Sequence, residues 1–201
     1  MLDNIERIYD IINIAGGVAR TVDFNKAGYP NYVVSDLCKR GIIERVRNGY
    51  YSLPKQDAKE EETIARLFPD CVVCLDSALF HYGYSDKTPL EWHLAVSRNA
   101  TRSRFKIDYP PIQSYMVGES TFTLGVVAED WGGVTLLTYD RERTICDCFK
   151  RRARMDSEIF AKAVNAYSAD DKKTLSNLSQ YAKKMRVYAK VMDLMEVLLS
   201  G

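Results

Sequence analysis

Apolar positions recur at helical spacing from the first residues: Leu2, Ile5, Ile8, Ile12 and Val18 form one stripe, with Asp3, Glu6, Arg7 and Asp10 opposite. Gly16-Gly17 closes this stretch, which predicts a supporting helix. A shorter set follows. Val22, Phe24 and Ala27 predict a second helix, with Thr21 as the hydroxyl cap for an orphan N–H. Gly28 allows the positive φ of a tight turn, and Pro30 suits the opening of a third helix. That helix is predicted over roughly 31–40 and stops at Gly41. Its two sides differ: Val34, Leu37 and Cys38 point to a core, whereas Asn31, Ser35 and Lys39 point away, with Tyr32 and Asp36 alongside. Ile42, Ile43 and Val46, a turn at Arg47-Asn48-Gly49, and then Tyr50, Tyr51 and Leu53 predict a hairpin.

A junction is expected at 53–57, after which the pattern changes. The run Lys59-Glu60-Glu61-Glu62 reads as a helix N-terminus, where carboxylates complement the dipole. Ile64, Leu67 and Phe68 are its buried side and Pro69 its stop. Residues 71–84 predict a strand running into a helix that begins at Asp76 or Ser77 and ends at Gly83. Strands are predicted around Trp92-His93-Leu94 and over 112–117, 122–127 and 134–138, with 129–133 as the turn between the last two. From Asp140 the period returns to helical, with Ile145, Cys148 and Phe149 inward and Arg141, Glu142, Lys150, Arg151 and Arg152 outward. Three more helices are predicted over 157–167, 171–185 and 187–199. The whole predicts an α+β protein: a winged helix-turn-helix domain over 1–55, then a larger mixed α/β domain over 56–201 with a small sheet and several helices.

Charge sharpens the reading. The 201 residues carry a net charge of only +1, so the chain is no polycation. Between Arg20 and Lys55, however, seven cations stand against three carboxylates, concentrated on the third helix and the hairpin. In the winged helix plan the exposed helix side enters the DNA major groove and the hairpin meets backbone or minor groove. Asn31 and Ser35 are therefore expected at base edges, with Tyr32 and Lys39 near bases or backbone. Thr21, Lys26, Arg40, Arg45, Arg47 and Asn48 are expected on phosphates or the minor groove, where cations supply most of the affinity. The stretch 98–106 holds four cations and no carboxylate. Arg98, Arg102, Arg104 and Lys106 are the expected backbone contacts of the second domain.

Catalytic chemistry finds little support. There is no P-loop, G-x-S-x-G or H-E-x-x-H, and His81 and His93 lack a local partner. Cys71 and Cys74 lie in a strand-like run, and Cys146 and Cys148 in a helical one about 200° apart, so core packing is expected and no metal or cofactor. No apolar run reaches the ~20 residues of a membrane span. The acidic start and an odd number of cysteines fit a cytoplasmic protein.

Three stretches together resemble the AbiEi family of bacterial antitoxins, from abortive-infection (type IV) toxin–antitoxin systems. These are the helix-turn-helix with its hairpin from Gly28 to Leu53; Leu75-Asp76-Ser77-Ala78-Leu79-Phe80-His81-Tyr82-Gly83, similar to a family Ser-Ala-Leu-x-x-His-Gly-Leu segment; and Tyr139-Asp140-Arg141-Glu142-Arg143-Thr144-Ile145-Cys146-Asp147, similar to a family Glu-Arg-Thr-x-x-Asp signature. Tyr82 is inserted in the His-Gly pair, Tyr84 stands where Leu is usual, and Pro30 removes a hydroxyl at the helix start. The resemblance implies a non-enzymatic antitoxin that represses its own operon by binding double-stranded promoter DNA at inverted repeats. It also implies neutralisation of a nucleotidyltransferase-like toxin, without need of a stable complex. The alternative is a ligand-responsive winged-helix transcription factor.

Overall fold

The computed structural model describes residues 2–54 and 59–199, with backbone alone at 2–4 and 199. The expected junction at 53–57, Lys55 and the side chains of Leu2 and Asp3 lie wholly or partly outside that range. The chain divides into two compact units, one of residues 1–69 with 101–111, the other of 70–100 with 112–201.

The first unit holds α1 (Leu2–Ile14), β1 (Val18–Arg20), α2 (Thr21–Lys26), α3 (Asn31–Lys39), β2 (Glu44–Arg47), β3 (Tyr50–Ser52) and α4 (Glu60–Leu67). Its core joins Ile8 and Ile12 of α1, Ala19, Phe24, Val34, Leu37, Ile43 and Tyr51. Phe24 alone of the expected α2 set is buried; Val22 is 42% exposed. Val18 belongs to a strand rather than to the α1 stripe. β1 pairs antiparallel with β3, giving a three-stranded sheet of order β1-β3-β2. The sequence shows the two-strand hairpin, but β1 is only 3 residues long and sits directly after Gly17.

Local chemistry fixes the entry to α2 differently from expectation. Thr21 is the first helical residue and Arg20 the cap position. The Asp23 carboxylate accepts the Arg20 backbone N–H at 2.8 Å. Thr21 is spent on the hairpin: its N–H reaches the Gly49 carbonyl at 2.9 Å and its hydroxyl donates to the same oxygen at 3.4 Å. At the other end of α3, Gly41 adopts φ 68°. Its N–H bonds the Cys38 carbonyl and that of Ile42 the Leu37 carbonyl, a Schellman closure that turns the chain into β2.

The first unit extends past the 55/56 boundary for two reasons. Arg66 of α4 donates to the Val18 carbonyl at 3.1 Å and to Asp23 Oδ2 at 2.7 Å. Farther along the chain, Phe105 stacks on Phe68 with ring centroids 5.3 Å apart, and the Tyr109 hydroxyl donates to Glu60. Partial burial pushes the Asp23 carboxyl up, but the Arg20 N–H and the Arg20 and Arg66 guanidinium groups outweigh it and hold its pKa below the ordinary value. A depressed carboxylate contributes stability above its unfolded pKa and loses it as pH falls through the folded one. Arg66→Ala should therefore cost the first unit about 1–3 kcal/mol at neutral pH. Part of that deficit should vanish below the ordinary carboxylate pKa of about 3.9, where protonated Asp23 no longer rewards the guanidinium. Urea titrations at the two pH values check this; a deficit independent of pH would assign the cost to the Val18 bond alone.

The second unit contains β4 (Val72–Val73), α5 (Leu75–His81), β5 (Trp92–Ser97), β6 (Ile112–Val117), α6 (Glu119–Phe122), β7 (Val126–Asp130), β8 (Thr135–Tyr139), α7 (Arg141–Lys150), α8 (Ser157–Ala169), α9 (Leu175–Met185) and α10 (Tyr188–Leu199). The sheet order is β6-β5-β4-β8-β7, with β5–β6 and β4–β8 parallel and the other neighbours antiparallel. α7 to α10 share one apolar core with Leu79 and Tyr84, centred on Ile145, Cys146, Tyr167, Leu178 and Val191. The strand expected over 122–127 begins later. Residues 119–122 form the short α6, and Glu129 and Asp130, expected in a turn, end β7.

α7 departs most from expectation. Glu142 and Arg143 are buried at 4% and 1% exposure, although helical periodicity places Glu142 outward. Asp140 caps the helix through the Arg143 N–H at 2.8 Å and also accepts from the Tyr181 hydroxyl at 3.1 Å. The Arg143 guanidinium lies 3.9 Å over the Tyr139 ring. It donates to the Thr121 carbonyl, to the Leu124 carbonyl at 2.9 Å and to Asp147 at 3.1 Å. Glu142 accepts the Tyr167 hydroxyl at 3.2 Å and the Thr174 N–H at 2.7 Å. Thr144 donates to the Tyr139 carbonyl at 3.2 Å. The Arg-Glu-Arg-Thr-x-x-Asp segment is thus the polar framework of this unit: Glu142 and Arg143 bind backbone groups of neighbouring segments, and Arg141 pairs with Asp170 at 3.0 Å.

Candidate nucleic-acid interface

The first unit leaves several cationic and polar side chains exposed. The core pulls in Val34 and Leu37 of α3, which leaves Asn31, Tyr32 and Lys39 exposed, Tyr32 at 76%. Ser35 is half-buried beside Val34. Lys26 is exposed at the end of α2. Arg40 is exposed just past α3 and lies 3.5 Å from Asp36, an exposed i,i+4 pair that does little to hold it. On the hairpin, Arg45 and Asn48 are exposed, with the Arg45 guanidinium 5.8 Å from the Tyr51 ring. A bulge between Arg45 and Arg47 shifts the register there.

That bulge redirects Arg47, expected at the cationic tip. Its guanidinium stacks 4.0 Å over Tyr50, donates to the Leu67 carbonyl at 3.0 Å and to the Arg104 carbonyl at 3.3 Å, and is only partly exposed. Its Nε is buried without a hydrogen-bond partner. Arg47 therefore ties the hairpin to the rest of its unit. Thr21 is likewise occupied by Gly49.

The basic stretch 98–106, expected as a single second-domain contact, is divided. Arg102, Arg104 and Lys106 belong to the first unit and Arg98 to the second. Arg102 and Lys106 are exposed; Arg104 is half-buried, its guanidinium 5.6 Å from the Phe68 ring and 5.3 Å from that of Phe105. Apolar Phe105 is the signal in the sequence that could have separated them, since an aromatic inside a solvated cationic loop needs somewhere to be buried.

The histidines sit in packed surroundings. His81 stacks on Trp131 with centroids 4.2 Å apart, its Nε2 3.7 Å from Glu129. His93 Nδ1 accepts the Asp76 backbone N–H at 3.4 Å and lies 3.3 Å from the Tyr115 hydroxyl; burial, opposed by Asp76, lowers its pKa. Cys71, Cys74, Cys146 and Cys148 are buried and without disulfides, and burial raises the thiol pKa of Cys74, Cys146 and Cys148. No grouping of three or more His, Cys, Asp or Glu residues suited to a metal occurs among the described residues. No helix among them is long and apolar enough to cross a membrane.

A short helix, a glycine turn, a second helix with an open polar side and a three-stranded sheet ending in a hairpin define a winged helix-turn-helix, the architecture of DNA-binding regulators. Residues 6–54 match the family described as "Transcriptional regulator, AbiEi antitoxin". No curated protein matches the chain. Among solved structures, the RV2827C protein from Mycobacterium tuberculosis has a similar fold: TM-score 0.66 at 13% identity, covering 96% of this chain and 80% of that one.

Proposed function

We propose that the protein is the antitoxin of a type IV toxin–antitoxin system, repressing its own operon and counteracting a nucleotidyltransferase-like toxin. The observation that carries the repressor reading is the open side of α3, where Asn31, Tyr32 and Lys39 stand exposed, together with the exposure of Arg45 and Asn48 on the hairpin. Asn31 is suited to pair bidentately with adenine. Lys26, Lys39, Arg40 and Arg45 flank it as phosphate partners, with half-buried Ser35 at the edge of the same face, and Arg102 and Lys106 extend the cationic surface of that unit. Inverted repeats in the promoter would seat two copies side by side.

Fluorescence anisotropy on a promoter fragment, across a salt series, tests the assignment. Arg45→Ala should weaken binding to all sequences and flatten the log–log salt dependence by about one. Asn31→Ala should relax specificity by about 1–3 kcal/mol at one base pair. Arg47→Ala serves as the contrast: it should lower the melting temperature and leave the salt slope of the folded fraction unchanged. If wild type does not retain any promoter fragment at low ionic strength, the repressor reading fails. For the toxin, co-expression with a nucleotidyltransferase encoded beside the gene should restore growth that the enzyme alone arrests; unrelieved arrest would reject that pairing.

A further inference from the structure

A separate concentration of positive charge lies wholly inside the second unit. A cavity of about 420 Å³ is lined by Arg98, Arg143, Lys150, Arg151 and Arg154, with Asp147 the one carboxylate. Arg143 already neutralises Asp147 at 3.1 Å. The other four cations have no carboxylate within ion-pair reach among the described residues. The Arg151 guanidinium is held in place, 4.4 Å over the Tyr115 ring, and the Arg98 backbone, though not its side chain, is fixed by its N–H on the Val117 carbonyl at 3.1 Å. A 3₁₀ turn over Arg152–Arg154 brings Arg154 to the same rim, closed by its N–H on the Arg151 carbonyl at 2.8 Å.

Four like charges drawn around one hollow repel each other, and an anion between them removes that cost. Guanidinium groups match the oxygens of a phosphate through paired hydrogen bonds. The wall is not cationic throughout: Met116, Val117 and Ala153 supply an apolar side. The volume falls within the roughly 300–1,000 Å³ usual for small-molecule sites. We propose that this cavity binds a small phosphate-bearing ligand of mononucleotide size, the phosphate on Arg98, Arg151 and Arg154 and the ring system against Met116 and Val117. Sequence reading puts Lys150 and Arg151 on the outward helix side; the fold brings them to one cavity with Arg98, just past the end of β5.

Isothermal titration calorimetry of the full chain, free of DNA, tests the proposal with AMP, GMP, ATP, GTP and inorganic phosphate at moderate salt. At least one nucleotide should bind saturably with a Kd below about 1 mM. Arg98→Ala and Arg154→Ala, both at exposed positions, should each weaken it about tenfold while circular dichroism stays unchanged. Any of three results would overturn the proposal: no saturable heat from any nucleotide, affinity unaltered in both variants, or inorganic phosphate binding as tightly as every nucleotide. A fourth would do so as well: non-operator duplex losing affinity in both variants while nucleotides give no heat, which would make the cavity a backbone contact. Because the titration contains no promoter, its failure leaves the repressor reading untouched.

Discussion

Arg143→Met should unfold the second unit at denaturant concentrations where wild type is still fully native, a loss of about 3–5 kcal/mol. The side chain is 1% exposed, and its guanidinium answers the Thr121 carbonyl, the Leu124 carbonyl and the Asp147 carboxylate. Methionine replaces the aliphatic stem but neither the donors nor the cation 3.9 Å over the Tyr139 ring. Asp147 is then a buried carboxylate whose neutralising partner has gone; burial already pushes its pKa up even with Arg143 beside it. The double variant Arg143→Met, Asp147→Leu should recover part of the loss, since removing both members of a buried pair is far less damaging than removing one. Urea unfolding of the two variants and wild type decides the matter. A single variant within 1 kcal/mol of wild type would mean the pair contributes no more than one ordinary hydrogen bond.

The same residue marks where the sequence stops being legible. Periodicity assigns a helix side to each residue by what is usual for its type, and charged residues are usually outside. Glu142 and Arg143 break the rule because loop ends leave backbone groups that water cannot reach, and only those loops, brought near by the fold, reveal the need. The purpose of the Arg-Thr segment shows only once the loops that Arg143 and Glu142 serve are in place. In the first unit the signals are local and strong: Pro30, Gly41 and the Asn48-Gly49 turn fix α3 and the hairpin by backbone chemistry alone. What they do not disclose is the third strand, whose pairing of Val18 with Ser52 spans the whole helix-turn-helix. Nor do they disclose that Phe105 returns to Phe68.

The candidate interface shows the same limit at single residues. Asn31, Tyr32 and Lys39 are exposed because α3 periodicity is clean. Arg47 is only partly exposed, because its guanidinium stacks on Tyr50 beside a register shift that composition does not reveal. A cationic hairpin tip read from sequence thus separates into Arg45 and Asn48, which face solvent, and Arg47, which holds the hairpin in place.

Gly125→Ala should be nearly as damaging as the loss of Arg143, for a reason located in the same framework. Gly125 adopts φ +71°, and a methyl group there would lie 2.7 Å from Arg143 Cβ and 2.9 Å from Asp140 Oδ1. The left-handed backbone alone costs a non-glycine residue about 1–2 kcal/mol. The approach costs more, because neither neighbour has room to retreat. Asp140 is anchored by the Arg143 N–H and the Tyr181 hydroxyl, and its own N–H is bound to the Gly125 carbonyl at 2.7 Å. Displacing it forfeits the helix cap, worth about 0.5–2 kcal/mol, and shifts the Arg143 stem. The expected total is about 3 kcal/mol, read as a lowered midpoint in urea with an unchanged slope. Gly132→Ala is the control: it shares a positive φ of +64° but would meet nothing within 4 Å, so it should cost only the backbone share. Equal losses in the two variants would show that the close packing of Gly125 on Asp140 and Arg143 carries no weight.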